Sequence, residues 1–223
     1  HVGLLDRLAS GSLGVTLAMP SSLQIEQQAD DFANLTDQER ALGWYLFFYP
    51  GHRMDLEQPH YATLERDVRA HAVALFEAMR RRPPPEGMPP PPESPRHPLV
   101  SCERVELMTG VGLSVIHRMA YAPTNEIVMG HLLVPLRQGL FEARWIAPTK
   151  QTGMRESVLF AKAMAGGIEG IAADTEPEEM MKLLTPDDSK YDELFPDNVL
   201  TKARRAAAWS REQVRVTQPG IPI

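Results

Sequence analysis

The chain has 223 residues, of which 43% are hydrophobic and 23% are charged, values typical of a globular protein. Its formal net charge of −6 speaks against general nucleic-acid binding, which requires a basic surface. The single cysteine, Cys102, excludes an internal disulfide and a cysteine-based zinc site, and no apolar run approaches the ~20 residues of a transmembrane segment. We therefore expect a cytoplasmic protein without a cofactor, or a processed envelope or exported form.

The first part of the chain contains candidate strands followed by one long helix. Residues 14–19 and 23–29 are short candidate strands. Residues 43–49 (GWYLFFY) are apolar on both faces, which favours a strand covered on both sides. From residue 59 to residue 82 apolar residues such as Leu64 recur at steps of three and four, and this period predicts an amphipathic helix.

Nine prolines fall within residues 83–98 (PPPEGMPPPPESPRHP). Proline has no backbone donor, so this segment cannot continue a helix or join the interior of a sheet, and it favours polyproline II. Two interpretations stay open. The segment is either an extended spacer, or a docking segment that presents Pro89, Pro90 and Pro91 to an aromatic groove of a protein partner.

The clearest strand signal follows these prolines. Four segments with alternating residues and short turns between them predict an antiparallel meander: 105–107, 112–121, 127–136 and 140–147. Phe141 and Trp145 share one face of the last strand. We expect them to be buried with Leu113 and Val115 under the long helix.

The rest of the chain is predicted to be helical, with helices near residues 152–165, 175–184 and 198–215. The last helix is basic, and we expect it to pair with the acidic residues of segment 187–197 or with a partner. Because it offers few large apolar side chains, residues 171–223 are predicted to form a helical C-terminal extension that supplies binding surface rather than core. Candidate contacts to a partner are Arg204, Arg205 and Trp209.

Two of the seven histidines lie on neighbouring predicted strands. The alternation places His117 with Leu113 and Val115. In the next strand the apolar set that includes Leu132 leaves His131 on the opposite face. Side chains on opposite faces of a sheet cannot share a ligand, so we interpret both residues as hydrogen-bonded structural histidines rather than as metal ligands.

Other catalytic patterns are absent from the sequence. Cys102 is predicted to be an inert buried thiol, no serine lies in a G-x-S-x-G turn, and no glycine-rich nucleotide-binding loop is present. The best remaining site is the start of the helix near residue 152. There Thr152, Gly153 and Arg155 are candidates to bind an anion, and the alternative is an ordinary helix cap with a surface arginine.

The order of elements resembles the Mog1/PsbP-like α/β/α sandwich. The local cues are GVTLAMPSSLQIE before WYLFFY, and the pair GHLLVPL and GLFEARW followed by TGMRES. The resemblance covers roughly residues 13–165. Members of this family are mostly non-enzymatic adaptors, extrinsic photosystem subunits, envelope proteins and secretion chaperones, so the resemblance implies a binding module. None of the family's functional residues carries over to this sequence.

The sequence therefore predicts an α+β fold, in which an antiparallel sheet packs against helices. Residues 1–170 would form the main domain, interrupted by the proline-rich segment. Our leading hypothesis is a non-catalytic protein-binding or assembly module with a protein partner, such as an adaptor, accessory subunit or chaperone-like protein. The alternative is a small-molecule-binding protein or enzyme with a pocket between sheet and helix, on which His117 or Arg155 converges.

Overall fold

The computed structural model describes residues 2–58, 60–81, 98–122, 125–148 and 154–218. Most of the proline-rich segment, including the docking candidates Pro89, Pro90 and Pro91, lies outside these ranges.

Within the described ranges, nine strands form two antiparallel sheets. They are β1 (Val15–Leu17), β2 (Leu23–Gln28), β3 (Phe32–Asp37), β4 (Leu42–Pro50), β5 (Leu99–Leu107), β6 (Gly110–Ala122), β7 (Asn125–Leu136), β8 (Gly139–Pro148) and β9 (Val214–Val216). The large sheet has the order β2-β3-β4-β8-β7-β6-β5, and β1 pairs with β9 in a separate ribbon. The predicted meander is confirmed as β5 to β8, whereas β3 and β9 were not predicted as strands.

Five α-helices in the described part of the chain complete the α+β fold, and the predicted fold class is confirmed. They are α1 (Leu4–Ala9), α2 (His60–Arg80), α3 (Met154–Met164), α4 (Pro177–Leu183) and α5 (Val199–Gln213), with a 3₁₀ helix at Ser189–Leu194 before α5. The Asn198 side chain accepts a hydrogen bond from the Leu200 N–H and so begins α5 as the sequence indicates. Within the described ranges, no helix is long and apolar enough to cross a membrane.

Helices cover both faces of the large sheet. The α2 helix packs on the face that carries Leu113 and Val115, as predicted. The α5 helix packs on the opposite face, where Phe141 and Trp145 are fully buried. The Trp145 indole N–H donates to the Ala203 carbonyl of α5 at 3.1 Å. The prediction that Phe141 and Trp145 lie under α2 is therefore wrong, because the odd-numbered residues of β8 face α5.

The C-terminal residues contribute to the main core. Val199, Leu200 and Ala203 of α5 are at most 5% exposed, and β9 adds two buried valines. The expectation that residues after 170 supply surface rather than core is wrong for these elements. Alanines on the inner face of α5 let the helix approach the sheet closely, so a helix with few large side chains still covers a core. The division of the chain at residue 170 stays a prediction.

Candidate functional site

A partly open pocket of about 360 Å³ lies between α2 and the large sheet. Apolar side chains of α2, β6 and β7 form most of its wall. The polar part of the wall consists of three histidines and one arginine, which are His71 from α2, His117 from β6, His131 from β7 and Arg144 from β8. We name this cavity the histidine pocket.

His117 and His131 lie on the same face of the sheet. Val115, two residues before His117, is the cross-strand partner of His131. The prediction that the histidines occupy opposite faces is therefore wrong. Leu132 is buried in the core under α5, whereas Leu113 and Val115 are buried under α2. The two apolar sets therefore lie on opposite faces of the sheet, which leaves His131 on the face of His117.

The two imidazole rings meet head to head. Their Nε2 atoms are 2.9 Å apart, their planes differ by 15° and their centroids are 5.1 Å apart. Each Nε2 atom lies about one ring radius from the centre of its own ring, and the centroid separation exceeds the N···N distance by nearly two such radii. Both nitrogens therefore lie between the two ring centres and close to the line that joins them. This is the geometry of an N–H···N hydrogen bond in which one ring donates and the other accepts.

Glu142 holds His131 from the other side. Its Oε1 lies 2.7 Å from Nδ1 of His131. The same carboxylate accepts from the Tyr49 hydroxyl at 2.8 Å and from Nε and Nη2 of Arg144 at 2.8 and 3.1 Å. Glu142 is only 4% exposed, and a charge this buried requires such donors because an unpaired carboxylate is costly to bury.

The pKa values define the protonation of this network. Burial alone would raise the pKa of Glu142, but the hydrogen bonds from His131 and Arg144 outweigh burial and lower the pKa to about 2. Burial and the hydrogen bond to Glu142 raise the pKa of Tyr49 to about 12. At neutral pH the carboxylate is ionised and can only accept hydrogen bonds, which places a proton on Nδ1 of His131.

His117 ends the hydrogen-bonded chain. Its side chain is 8% exposed, and its Nδ1 has no hydrogen-bond partner. Burial, and secondly the neighbouring His131, lower the pKa of His117 to about 4. His117 is therefore neutral at neutral pH, and it can gain a proton only if its surroundings change.

The head-to-head geometry favours a hydrogen bond over a shared metal ion. The nitrogens of two histidines that bind one metal point at a common third position, whereas here the Nε2 atoms point at each other. In the part of the chain that the structure describes, no group of three or more His, Cys, Asp or Glu side chains has the arrangement of a metal site.

Arg155, the arginine of the predicted anion site, is 3% exposed. Its Nη1 donates to Asp192 at 2.9 Å, and its Nη2 donates to the Asp188 carbonyl at 2.7 Å. Thr152 and Gly153 lie outside the described residues. The anion site stays a prediction, and its arginine is already paired with a carboxylate of the same chain.

The acidic segment 187–197 also pairs with α5. Asp192 accepts from Nη1 of Arg204 at 2.8 Å, and Nζ of Lys202 lies 3.8 Å from Asp197. The predicted pairing of the basic helix with this segment is confirmed. Arg204 is therefore engaged within the chain.

The two other α5 candidates for a partner contact differ in their surroundings. Arg205 is exposed, and its Nη1 donates to the Pro196 carbonyl at 3.4 Å. Trp209 is partly buried and packs edge-on against Trp44, with 5.0 Å between the ring centroids. The partner-binding role of Arg204, Arg205 and Trp209 stays a prediction.

Cys102 lies on the α2 side of the sheet and is partly buried. Burial, and secondly the negative charge of Glu65, raise the pKa of the Cys102 thiol to about 11. Very little reactive thiolate is present at neutral pH, in agreement with the predicted inert thiol.

Tyr49, His71, Glu142 and Arg144 belong to the pocket and its network but were not predicted as site residues. Glu142 and Arg144 alternate with large apolar residues of β8, a pattern that is typical of a solvated strand face. A contrary signal was present in β7, where apolar residues occupy both faces. A strand that is apolar on both faces indicates that the polar residues beside it are also covered.

No protein-family model matches the chain, and no curated protein matches it. Among solved structures, a mutant of the protein Mog1 is similar to it over 92% of both chains, with 8% sequence identity and a TM-score of 0.42. The similarity agrees with the Mog1 part of the resemblance, while the PsbP part stays a prediction. A similarity of this size carries no conclusion about function or about the role of any residue.

Proposed function

We propose that this chain is a binding protein that holds a small organic molecule in the histidine pocket. The pocket wall is the observation that carries the proposal. Apolar side chains surround most of a cavity of about 360 Å³, and polar side chains converge on one part of it. Ligand sites typically have this composition, with volumes of roughly 300–1,000 Å³.

The network behind the wall supports the proposal. Glu142 and its donors fix the orientation of His131, which in turn positions His117. A buried ion pair often contributes no more to stability than well-packed apolar residues of the same volume. Groups with shifted pKa values in a cleft are typical of functional sites.

The proposal can be tested by NMR with ¹⁵N-labelled histidine and three single-ring probes: benzamide, benzyl alcohol and benzoate. We expect at least one probe to shift the ring signals of His117 and His131. Ala72 lines the pocket and is 7% exposed, so the Ala72→Phe substitution should fill the cavity and abolish the shifts.

The matched control is Val73→Phe. Val73 is the next residue of α2 and is 37% exposed, so the added ring should point away from the pocket and leave probe binding within a few-fold of the parent. Both variants must retain a cooperative thermal melt. The absence of shifts with every probe, or equal shifts in the Ala72→Phe protein, would overturn the proposal.

A protein-binding role, which the sequence favours, is the second candidate. Of the ten large apolar residues exposed among the described residues, five lie in the helical region between residues 158 and 194: Val158, Met164, Met181, Leu183 and Leu194. Exposed apolar side chains of this kind occur at protein interfaces. This candidate becomes the leading one if no probe enters the histidine pocket.

A further inference from the structure

The ionisable side chains in the wall of the histidine pocket are three histidines and one arginine. Among the described residues, no carboxylate lines the pocket. Glu142 lies behind the wall, where it contacts His131, Arg144 and Tyr49. A ligand in the cavity therefore meets groups that are neutral or positive.

The charge of Arg144 is already balanced. Its Nε and Nη2 both donate to Glu142, and its guanidinium lies over the Phe47 ring, 4.7 Å from the centroid. An anion that enters the pocket would have to be compensated by a further positive charge. The histidines are the wall residues that can supply it, because imidazole gains a proton near neutral pH.

We propose that the ligand of the histidine pocket is a small organic acid with an apolar body, and that it binds together with one proton taken up by the His117–His131 pair. The inference rests on the proposed function and names the ligand class. The proton comes from solvent and the ligand remains a carboxylate. The bound state holds one negative charge on the ligand and one positive charge on the pair, so the charges cancel.

The groups that face His117 agree with this assignment. His71 approaches from α2, His131 from β7 and Arg144 from β8, while the Arg118 side chain lies on the opposite face of the sheet and contacts Asp187. Burial and His131 together lower the pKa of His117 to about 4 in the empty pocket. A carboxylate next to the ring opposes both causes, so ligand binding and proton uptake favour each other.

The apolar wall determines the rest of the ligand. Val68, Leu75 and Leu133 line the cavity with Met119 and Met129. Methionine adapts to irregular shapes and makes favourable contacts with aromatic rings. A cavity of about 360 Å³ suits a ligand with a single ring or a short chain.

Benzoate and benzamide separate the charge from the shape of the ligand, because the two probes differ only in the polar group. We expect calorimetry to show that benzoate affinity for the parent rises as the pH falls from about 8 to about 6, by up to about tenfold per pH unit. Benzamide affinity should stay within a few-fold over the same range. Repeating the benzoate titration in two buffers with different ionisation enthalpies should show net proton uptake.

The His117→Gln variant keeps a hydrogen-bonding side chain but cannot take up the proton. We expect it to lose the pH dependence of benzoate binding. His60→Gln is the control, since the His60 side chain is 64% exposed and lies outside the pocket. The proton-uptake measurement on the parent protein requires no variant and so tests the inference even if His117→Gln does not fold.

Four results would overturn the inference. Binding of benzamide without benzoate would leave the proposed function intact but exclude the acid. Benzoate binding without proton uptake in the parent would exclude the coupling. A pH dependence that survives unchanged in His117→Gln would show that the proton is not taken up by the pair. If neither benzoate nor benzamide binds, the inference falls, and the proposed function falls with it only if benzyl alcohol also fails to bind.

Discussion

His117 combines a nearly complete burial with a titratable ring. Its pKa is lowered from 6.5 to about 4, first by burial and then by His131. The unfolded chain binds a proton on this ring at a higher pH than the folded chain does. The neutral ring therefore contributes to the stability of the fold above pH 6.5, and this contribution is lost as the pH falls to about 4. The shift corresponds to about 3 kcal/mol.

We predict a specific dependence of the free energy of unfolding on pH. In the parent, urea unfolding should show stability that falls between pH 6.5 and about 4. In His117→Gln the fall over this window should be smaller by about 3 kcal/mol, because one titrating group is missing. The contribution of Glu142 to stability is lost at lower pH, between the ordinary pKa of 4.5 and its lowered pKa of about 2. Parallel pH profiles for the two proteins would contradict the assignment.

The β7–β8 pair shows how one strand makes room for the other. Gly130 lies directly opposite Trp145. A Cβ atom built on Gly130 would come within 2.2 Å of the Trp145 indole. The absence of a side chain on β7 therefore lets the indole lie across the strand, from where its N–H reaches α5.

We expect Gly130→Ala to destabilise the protein by about 1–3 kcal/mol, since the indole must move and its packing against α5 is disturbed. Gly43→Ala in β4 is the matched control. A Cβ on Gly43 would make only ordinary contacts, at 3.6 Å from the Tyr45 ring. Thermal unfolding of both variants measures the difference. Equal midpoints would contradict the packing described for Trp145.

Two strands that lie far apart in the sequence, β1 and β9, pair with each other and help to close the structure. The β1 strand near the N-terminus pairs with β9, with Val15 opposite Val216. The α5 helix directly precedes β9 in the sequence. It covers the face of the sheet that carries Trp145. The main core therefore depends on residues after 170.

Termination of the chain after residue 170 should abolish the cooperative thermal melt, because the buried face of the sheet would be exposed to solvent. Replacement of residues 84–97 by a flexible segment of equal length should preserve the melt, since a segment of that length still connects α2 to β5. Near-ultraviolet circular dichroism measured during heating distinguishes the outcomes. A cooperative melt of the truncated protein would show that the C-terminal region is dispensable for the fold.

Most elements could be predicted from the sequence because their causes are local. The apolar period of three and four predicted α2, the alternation and the short turns predicted β6 to β8, and Asn198 marked the start of α5. These signals depend on residues close together in the chain, and the bounds agree within a few residues.

The histidine pocket depends on the tertiary structure. The register of the Ala122–Asn125 pair, if continued without a bulge, would place His131 opposite Ile116, on the face of the sheet away from His117. The bulge between β6 and β7 instead places His131 opposite Val115 and beside His117. Which face of β8 meets α2 was likewise decided by packing, because both faces of the sheet are covered and alternation alone does not say by which helix. The contact between Tyr49 and Glu142 spans 93 residues. Local sequence determined the elements, and long-range pairing determined which side chains meet, because one residue of register exchanges the faces of a strand.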